Sequence, residues 1–293
     1  MAVSADFLQF LFSGITVGAI YGLVGLGFAI IYNASHVINF AQGEFVMIGG
    51  MTTVSLIGLG LPLPVAVAGA ILATVGIGLL FEKLAIEPAR DASIVALIII
   101  TIGASILFRG AAQVIWGRNF HSLPSFSGDD PILIGGAAIL PQSLWVIGGA
   151  GAIVAGLQWF FNHTLAGKAM IATSHNPLAA RLVGINTRFV LMLGFGLSAM
   201  LGAAAGILIA PISLTYAGVG VMLGLKGFCA AVLGGLGKPM GAVAGGLIVG
   251  ISEVMTAGYV SSAYKDAVAF IIILAVLFFL PSGLFGDRGT ERV

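Results

Sequence analysis

The sequence is poor in charge. Only 8% of its 293 residues are Asp, Glu, Lys or Arg, while 59% are hydrophobic, against roughly 25% charged in a soluble domain. That excludes an ordinary soluble fold and points to an integral membrane protein. The formal net charge is +1 and the basic residues are scattered, so nothing suggests nucleic-acid binding. Cysteine occurs once, as Cys229 between Phe228 and Ala230, which excludes an intramolecular disulfide and leaves little for a Cys/His metal centre; it reads as a small packed side chain. The first Lys or Arg is Lys83, so the positively charged start of a cleavable leader is missing and the first apolar stretch is expected to stay in the mature protein.

Catalytic motifs are missing as well. The run GGLGKP at 234–239 is no phosphate loop, because Pro239 stands where a magnesium-binding hydroxyl is needed. Neither an H-E-x-x-H zinc helix nor a G-x-S-x-G elbow occurs, and His36, His121, His163 and His175 lie in different segments. The chain is expected to be no enzyme, to hold no metal or cofactor of its own, and to pass something through the membrane.

What is present is a series of apolar runs of about 20 residues, the length that spans a bilayer. Candidates fall near 7–32, 36–58, 62–82, 93–116, 142–162, 188–213, 240–257 and 264–281. The fold class is therefore all-α, a polytopic bundle of about eight spans forming a single domain over 1–293. LGLKGFCAAVLGGLGKP at 223–239 is shorter and interrupted by glycine, and reads as a full crossing or as a re-entrant piece. Lys83 and Arg90 in one loop, and Lys168, Arg181 and Arg188 in another, place both loops in the cytoplasm. Counting back puts the N-terminus and the 117–136 loop outside. A full crossing by 223–239 would bring the tail GDRGTERV inside.

Glycine, 44 residues in all, recurs at four-residue spacing. Gly14, Gly18 and Gly22 form one such set and Gly237, Gly241 and Gly245 another, with Gly202 and Gly206, and Gly246 and Gly250, as further pairs. Small residues at this spacing let membrane helices pack closely. Among so few polar groups, VINFAQGEFVMIGG at 37–50 sets Glu44 beside Asn39 and Gln42 in an apolar stretch. An intramembrane acid is costly and must face protein or water. The segment reads as a glycine-broken helix near a translocation path, with Glu44 bracing it by internal hydrogen bonds and direct ligand contact as the second choice. Glu253 and Arg109 fall near predicted span ends, where long side chains reach the interface.

SHNPLAARLVGIN at 174–186 spells a short helix: Asn176 suits the N-cap, Pro177 the first position and Gly184 the left-handed residue after the end. So short a helix needs something to pack on. Leu178 and Leu182 give it an apolar face beside Val183, while Arg181 stays solvated. It reads as a docking helix, or as a loop resting on the protein's own surface.

The order Ala179-Ala180-x-x-x-Gly184 resembles the coupling loop of ATP-binding-cassette importer permeases, whose pattern is Glu-Ala-Ala-x-x-x-Gly; Leu178 stands in the acidic place. Three segments, 37–50, GKAMIATSHNPLAARLVGIN (167–186) and AAVLGGLGKPMGAVAGGLIVGISE (230–253), resemble the LivH-type permeases of branched-chain amino acid importers, in order and over nearly the whole length. The resemblance implies a bacterial inner-membrane subunit that forms the path with a second, LivM-like permease. Two LivG/LivF-like ATPases would bind the ATP and an extracytoplasmic binding protein would deliver the ligand. The coupling loop would cover about 163–188, with Pro177, Leu178, Ala179, Ala180, Arg181, Leu182 and Gly184 at its centre. Gln42 where the family usually has His, and EPARD (87–91) where it has an Arg-Pro loop, bear on the ligand more than the mechanism. Urea or short amides are the alternative ligands, and an ion-coupled transporter built on broken segments 38–50 and 230–246, or a non-transporting scaffold, the rival classes.

Overall fold

The structure is a computed structural model and describes residues 2–286, so the tail beyond Gly286 lies outside the described residues. Eleven α-helices follow in order: α1 (Ala2–Ser35), α2 (Gln42–Gly58), α3 (Leu63–Phe81, prolonged by a π turn, Glu82–Ile86), α4 (Ile94–Trp116), α5 (Pro141–His163), α6 (Leu165–His175), α7 (Pro177–Leu182), α8 (Thr187–Ile209), α9 (Val219–Gly234), α10 (Pro239–Tyr259) and α11 (Lys265–Phe279). A small hairpin, β1 (Ile132–Ile134) and β2 (Ala137–Ile139), precedes α5 and pairs Ile132 with Ile139.

Among the described residues, seven helical stretches are long and apolar enough to cross a membrane, those built on α1, α3, α4, α5, α8, α10 and α11. They match seven of the eight expected spans, and the eighth, over 36–58, is interrupted. Residues 36–41 are not helical, so the run expected as a span over 36–58 begins its helix only at Gln42. The 16-residue α9 is about 24 Å long, short of the roughly 30 Å hydrocarbon core. The segment leading into it, 210–218, is held by backbone bonds in both directions between His121 and Thr215, each 2.8 Å, and by the Phe120–Tyr216 ring contact.

Close approach of glycines sets the centre of the bundle. α1 lies against α10, with Gly14, Gly18 and Gly22 over the backbones of Ile251, Leu247 and Val243, and Gly246 and Gly250 returning the contact. Gly241 and Gly245 bring α10 onto α9 at Gly234 and Ala230. Gly237 departs from the expected packing stripe: it lies in the turn before α10 with φ +89°, beside Asn33 and Tyr32, where a left-handed backbone rather than helix contact favours glycine. This seam buries α1, 83% of whose span is enclosed, against 6% for α11. The outward side chains of α11, such as Ile271, Leu274 and Phe278, are apolar, as a helix facing lipid requires.

Candidate functional site

The breaks converge. The first turns of α2 and α9 touch inside the bundle, where a Cβ on Gly43 would overlap the carbonyl oxygen of Gly220 and one on Gly220 that of Gly43. Glu44 sits in this first turn of α2, buried, and its Oε1 accepts a 2.8 Å hydrogen bond from Ser105 Oγ. Ser105 is the midpoint of α4, so the carboxylate lies near mid-span. Arg109, one turn further along α4, brings its Nε to 4.0 Å from the same oxygen. Among the described residues, Oε2 is buried without a partner. Beside the acid opens a cleft of about 230 Å³ between α1, α4 and α9.

The geometry of the 36–41 break does not rest on Glu44. His36 adopts φ +55°, Asn39 Oδ1 accepts from Ala41 N at 3.0 Å and Thr101 Oγ1 accepts from Phe40 N at 3.2 Å. The expected internal brace is thereby replaced by a tie from α2 to α4, and the expected glycine break by a break ahead of the glycines. Gly43, Gly49 and Gly50 lie within regular helix. Gln42, fully buried, donates through Nε2 to Ser198 O at 3.1 Å and accepts from Ser198 Oγ, which fixes α2 against α8. Asn39 is equally buried, with its Nδ2 unpartnered.

A second acid is placed otherwise than expected. Glu253 does not reach an interface; it is buried in α10, with Oε1 2.6 Å from Lys226 Nζ of α9 and Oε2 accepting from Tyr21 Oη of α1 at 2.9 Å. Lys226 also binds Asp266 of α11 at 2.6 Å. One ammonium thus joins α9, α10 and α11, and Tyr21 ties α1 to the same carboxylate. The sequence signal for it was a lone lysine and a lone glutamate in neighbouring apolar segments. Arg109, too, turns inward; Ser105 and Arg109 at i and i+4 share one face of α4, a spacing visible in the sequence.

The short helix forms as its caps dictate. Asn176 Oδ1 accepts from Ala179 N at 2.9 Å, Pro177 opens α7, and Gly184 has φ +89°. Ala180 is buried against the protein, whereas Leu178, Leu182 and Val183 are 68%, 81% and 77% exposed. The apolar face therefore projects away from the chain's own surface. Arg181 Nε donates to Thr187 Oγ1 at 2.9 Å, and Arg188 lies 3.9 Å from Glu87, so α7 is tied to the first turn of α8 and α8 to the loop after α3. Cys229 is buried.

A multi-pass bundle whose broken helices meet at a mid-span acid, with a capped helix held at one end, has the architecture of a membrane permease. Residues 10–277 match the family described as "Branched-chain amino acid transport system / permease component", and the chain belongs to it, as a permease of the ATP-binding-cassette importer class. It is 34% identical to the high-affinity branched-chain amino acid transport system permease protein LivH of Salmonella typhimurium and 31% identical to BraD of Pseudomonas aeruginosa, each over 98% of both chains. PsaBC from Streptococcus pneumoniae, solved in complex with a Fab, shares the fold at a TM-score of 0.52 and 15% identity, covering 94% of this chain and 92% of that one. Permeases of this class work with a partner permease, ATPases and a binding protein.

Proposed function

We propose that this chain is the LivH-like half of an importer for branched-chain and other apolar amino acids. It would lie in a bacterial cytoplasmic membrane with its N-terminus outside. In this reading the LivM-like permease completes the path, and LivG/LivF-like ATPases bind and hydrolyse the ATP. The ligand class rests on the names carried by relatives that cover nearly the whole chain. The orientation rests on where the basic residues fall in the chain, Lys83 and Arg90 between α3 and α4 and Lys168, Arg181 and Arg188 between the end of α5 and the first turn of α8, with Arg90, Arg181 and Arg188 lining one cleft.

The observation that carries the mechanism is the exposed face of α7. A six-residue helix is unstable alone, yet this one is capped, anchored through Ala180 and Arg181, and presents Leu178 and Leu182 outward. Seated in an ATPase cleft, it would pass the closure of the ATPases to α8 through Thr187 and thence to α2 through Ser198 and Gln42. Alternating access needs such a contact, one that differs between two states.

The test is purification of the complex from its native membrane, followed by uptake of labelled leucine in liposomes with ATP inside. A second permease and two ATPases should copurify, and Leu182→Glu should abolish uptake while leaving the permease pair assembled. A chain that purifies alone and transports without ATP would overturn the importer mechanism.

A further inference from the structure

The two buried glutamates differ in one respect that concerns a ligand. Both carboxylate oxygens of Glu253 have donors, but Glu44 Oε2 has none among the described residues. A buried acceptor without a donor is unfavourable, and at mid-span no lipid can supply one. Gly220 of α9 lies against that oxygen, where a Cβ would stand 3.0 Å from Oε2, so the missing side chain leaves room there.

The adjoining cleft has three kinds of wall. One is apolar, where Phe228 packs against Phe28 and Phe40 with ring centroids 5.6 and 5.8 Å apart, opposite Ile102 and Ile106. The second is Arg109, whose side chain is 33% exposed and, among the described residues, pairs only with Glu44 at the outer limit of 4.0 Å. The third is the first turn of α9 at Gly220, the positive end of a helix dipole that favours anions. At about 230 Å³ the cleft is smaller than the roughly 300–1,000 Å³ of drug-sized pockets, so it suits a single small molecule.

We infer that this cleft is the intramembrane binding site for one zwitterionic α-amino acid with an apolar side chain. The ligand ammonium donates to Glu44, its carboxylate lies against Arg109 and the N-terminus of α9, and its side chain packs among Phe28, Phe40 and Phe228. The charges select this class. A cation or an anion alone leaves one of Glu44 and Arg109 unmatched, and a neutral amide matches neither, whereas a zwitterion presents one group to each. The assignment deepens the importer reading and rests on it.

The assembled complex without its binding protein is titrated with leucine and with 4-methylpentanoate, which lacks only the ammonium, and binding is read as a shift in thermal unfolding. Leucine should bind about ten- to hundredfold more tightly, the worth of a hydrogen bond to a charged group. Glu44→Gln should erase that preference, and Ile106→Trp, which fills the cleft without altering either charge, should abolish binding of both compounds. A preference that survives in Glu44→Gln, or a wild-type complex that binds neither compound, overturns the site. Uptake by the wild-type complex with its binding protein separates the two readings. Leucine import without a Glu44-dependent preference refutes the site alone, and no import of any amino acid refutes the ligand class and the site together.

Discussion

Glu44 and Glu253 are both buried inside the membrane bundle, yet they are built into it in opposite ways. Glu253 meets Lys226 and Tyr21 and, through the lysine, Asp266. Its helix neighbours α1, α9 and α11 are held by it, and no polar atom of the acid is left over. Glu44 has one hydroxyl donor, one distant arginine, a cleft and an oxygen with no donor at all. A carboxylate with a donor on each oxygen from within is a joint between helices; one with an oxygen left unmatched has its partner elsewhere. The surroundings differ in the same sense. Glu253 belongs to the glycine seam where α1 and α10 touch backbone to backbone, while Glu44 faces α4, whose outward residues Ile102 and Ile106 are exposed.

The sharpest way to break this contrast is to remove one member of the closed cluster. Glu253→Ala strands the Lys226 ammonium beside an empty site, with only Asp266, itself 46% exposed, to compensate. Loss of one partner from a buried pair costs about 3–5 kcal/mol, so the purified protein should unfold at a much lower temperature or fail to accumulate. Replacing both groups, as Lys226→Met with Glu253→Gln, should recover most of that loss, because no buried charge is then stranded: Asp266 loses the lysine but is half exposed, and Gln can still accept from Tyr21. Glu44→Gln should move the unfolding midpoint far less than Glu253→Ala does. If the two glutamate variants lose equal stability, Glu44 is a joint after all.

Next in size is the glycine seam. A Cβ at Gly246 would overlap the backbone of Gly22, so Gly246→Ala forces α1 and α10 apart. Overpacking of this kind costs about 1–3 kcal/mol. The same substitution at Gly148, where no atom stands within 4 Å of the new Cβ, should be neutral or slightly stabilising, since alanine favours helix. Thermal unfolding of the two variants side by side measures the contact itself, free of any general effect of alanine.

How much of this was legible beforehand divides along the same line. Apolar runs gave the crossings, and the four-residue glycine spacing marked the α1 and α10 seam, because both signals are local and periodic. Asn176, Pro177 and Gly184 spelled α7 down to its cap hydrogen bond for the same reason. Pairings between distant segments were not legible. Nothing near Glu253 in the sequence names Lys226 or Tyr21 as its partner, and reading each charge alone sent Glu253 and Arg109 outward to an interface. The break before α2 was misplaced onto its glycines because glycine weakens a helix in water, whereas here the bilayer-filling neighbours use the missing side chains to approach. Polar groups made the actual break, Asn39 and Thr101 taking over the backbone donors of Ala41 and Phe40.

The smallest effect belongs to the region least joined to either acid. Removing the α7 cap by Asn176→Ala deletes one hydrogen bond to Ala179 N, worth about 1 kcal/mol. Because Leu178 and Leu182 are exposed and only Ala180 anchors the helix, that loss should stay local. The unfolding midpoint of the isolated chain should hardly move, while amide hydrogen exchange at residues 179–183 should accelerate about five- to tenfold, the factor that corresponds to this energy. Binding to the ATPases, which must order the helix again, should weaken by a similar factor. A drop in the midpoint comparable to that of Glu253→Ala would mean that α7 unfolds together with the bundle. It would then be part of the same cooperative unit as the closed cluster, and no longer a separately ordered element held out for a partner.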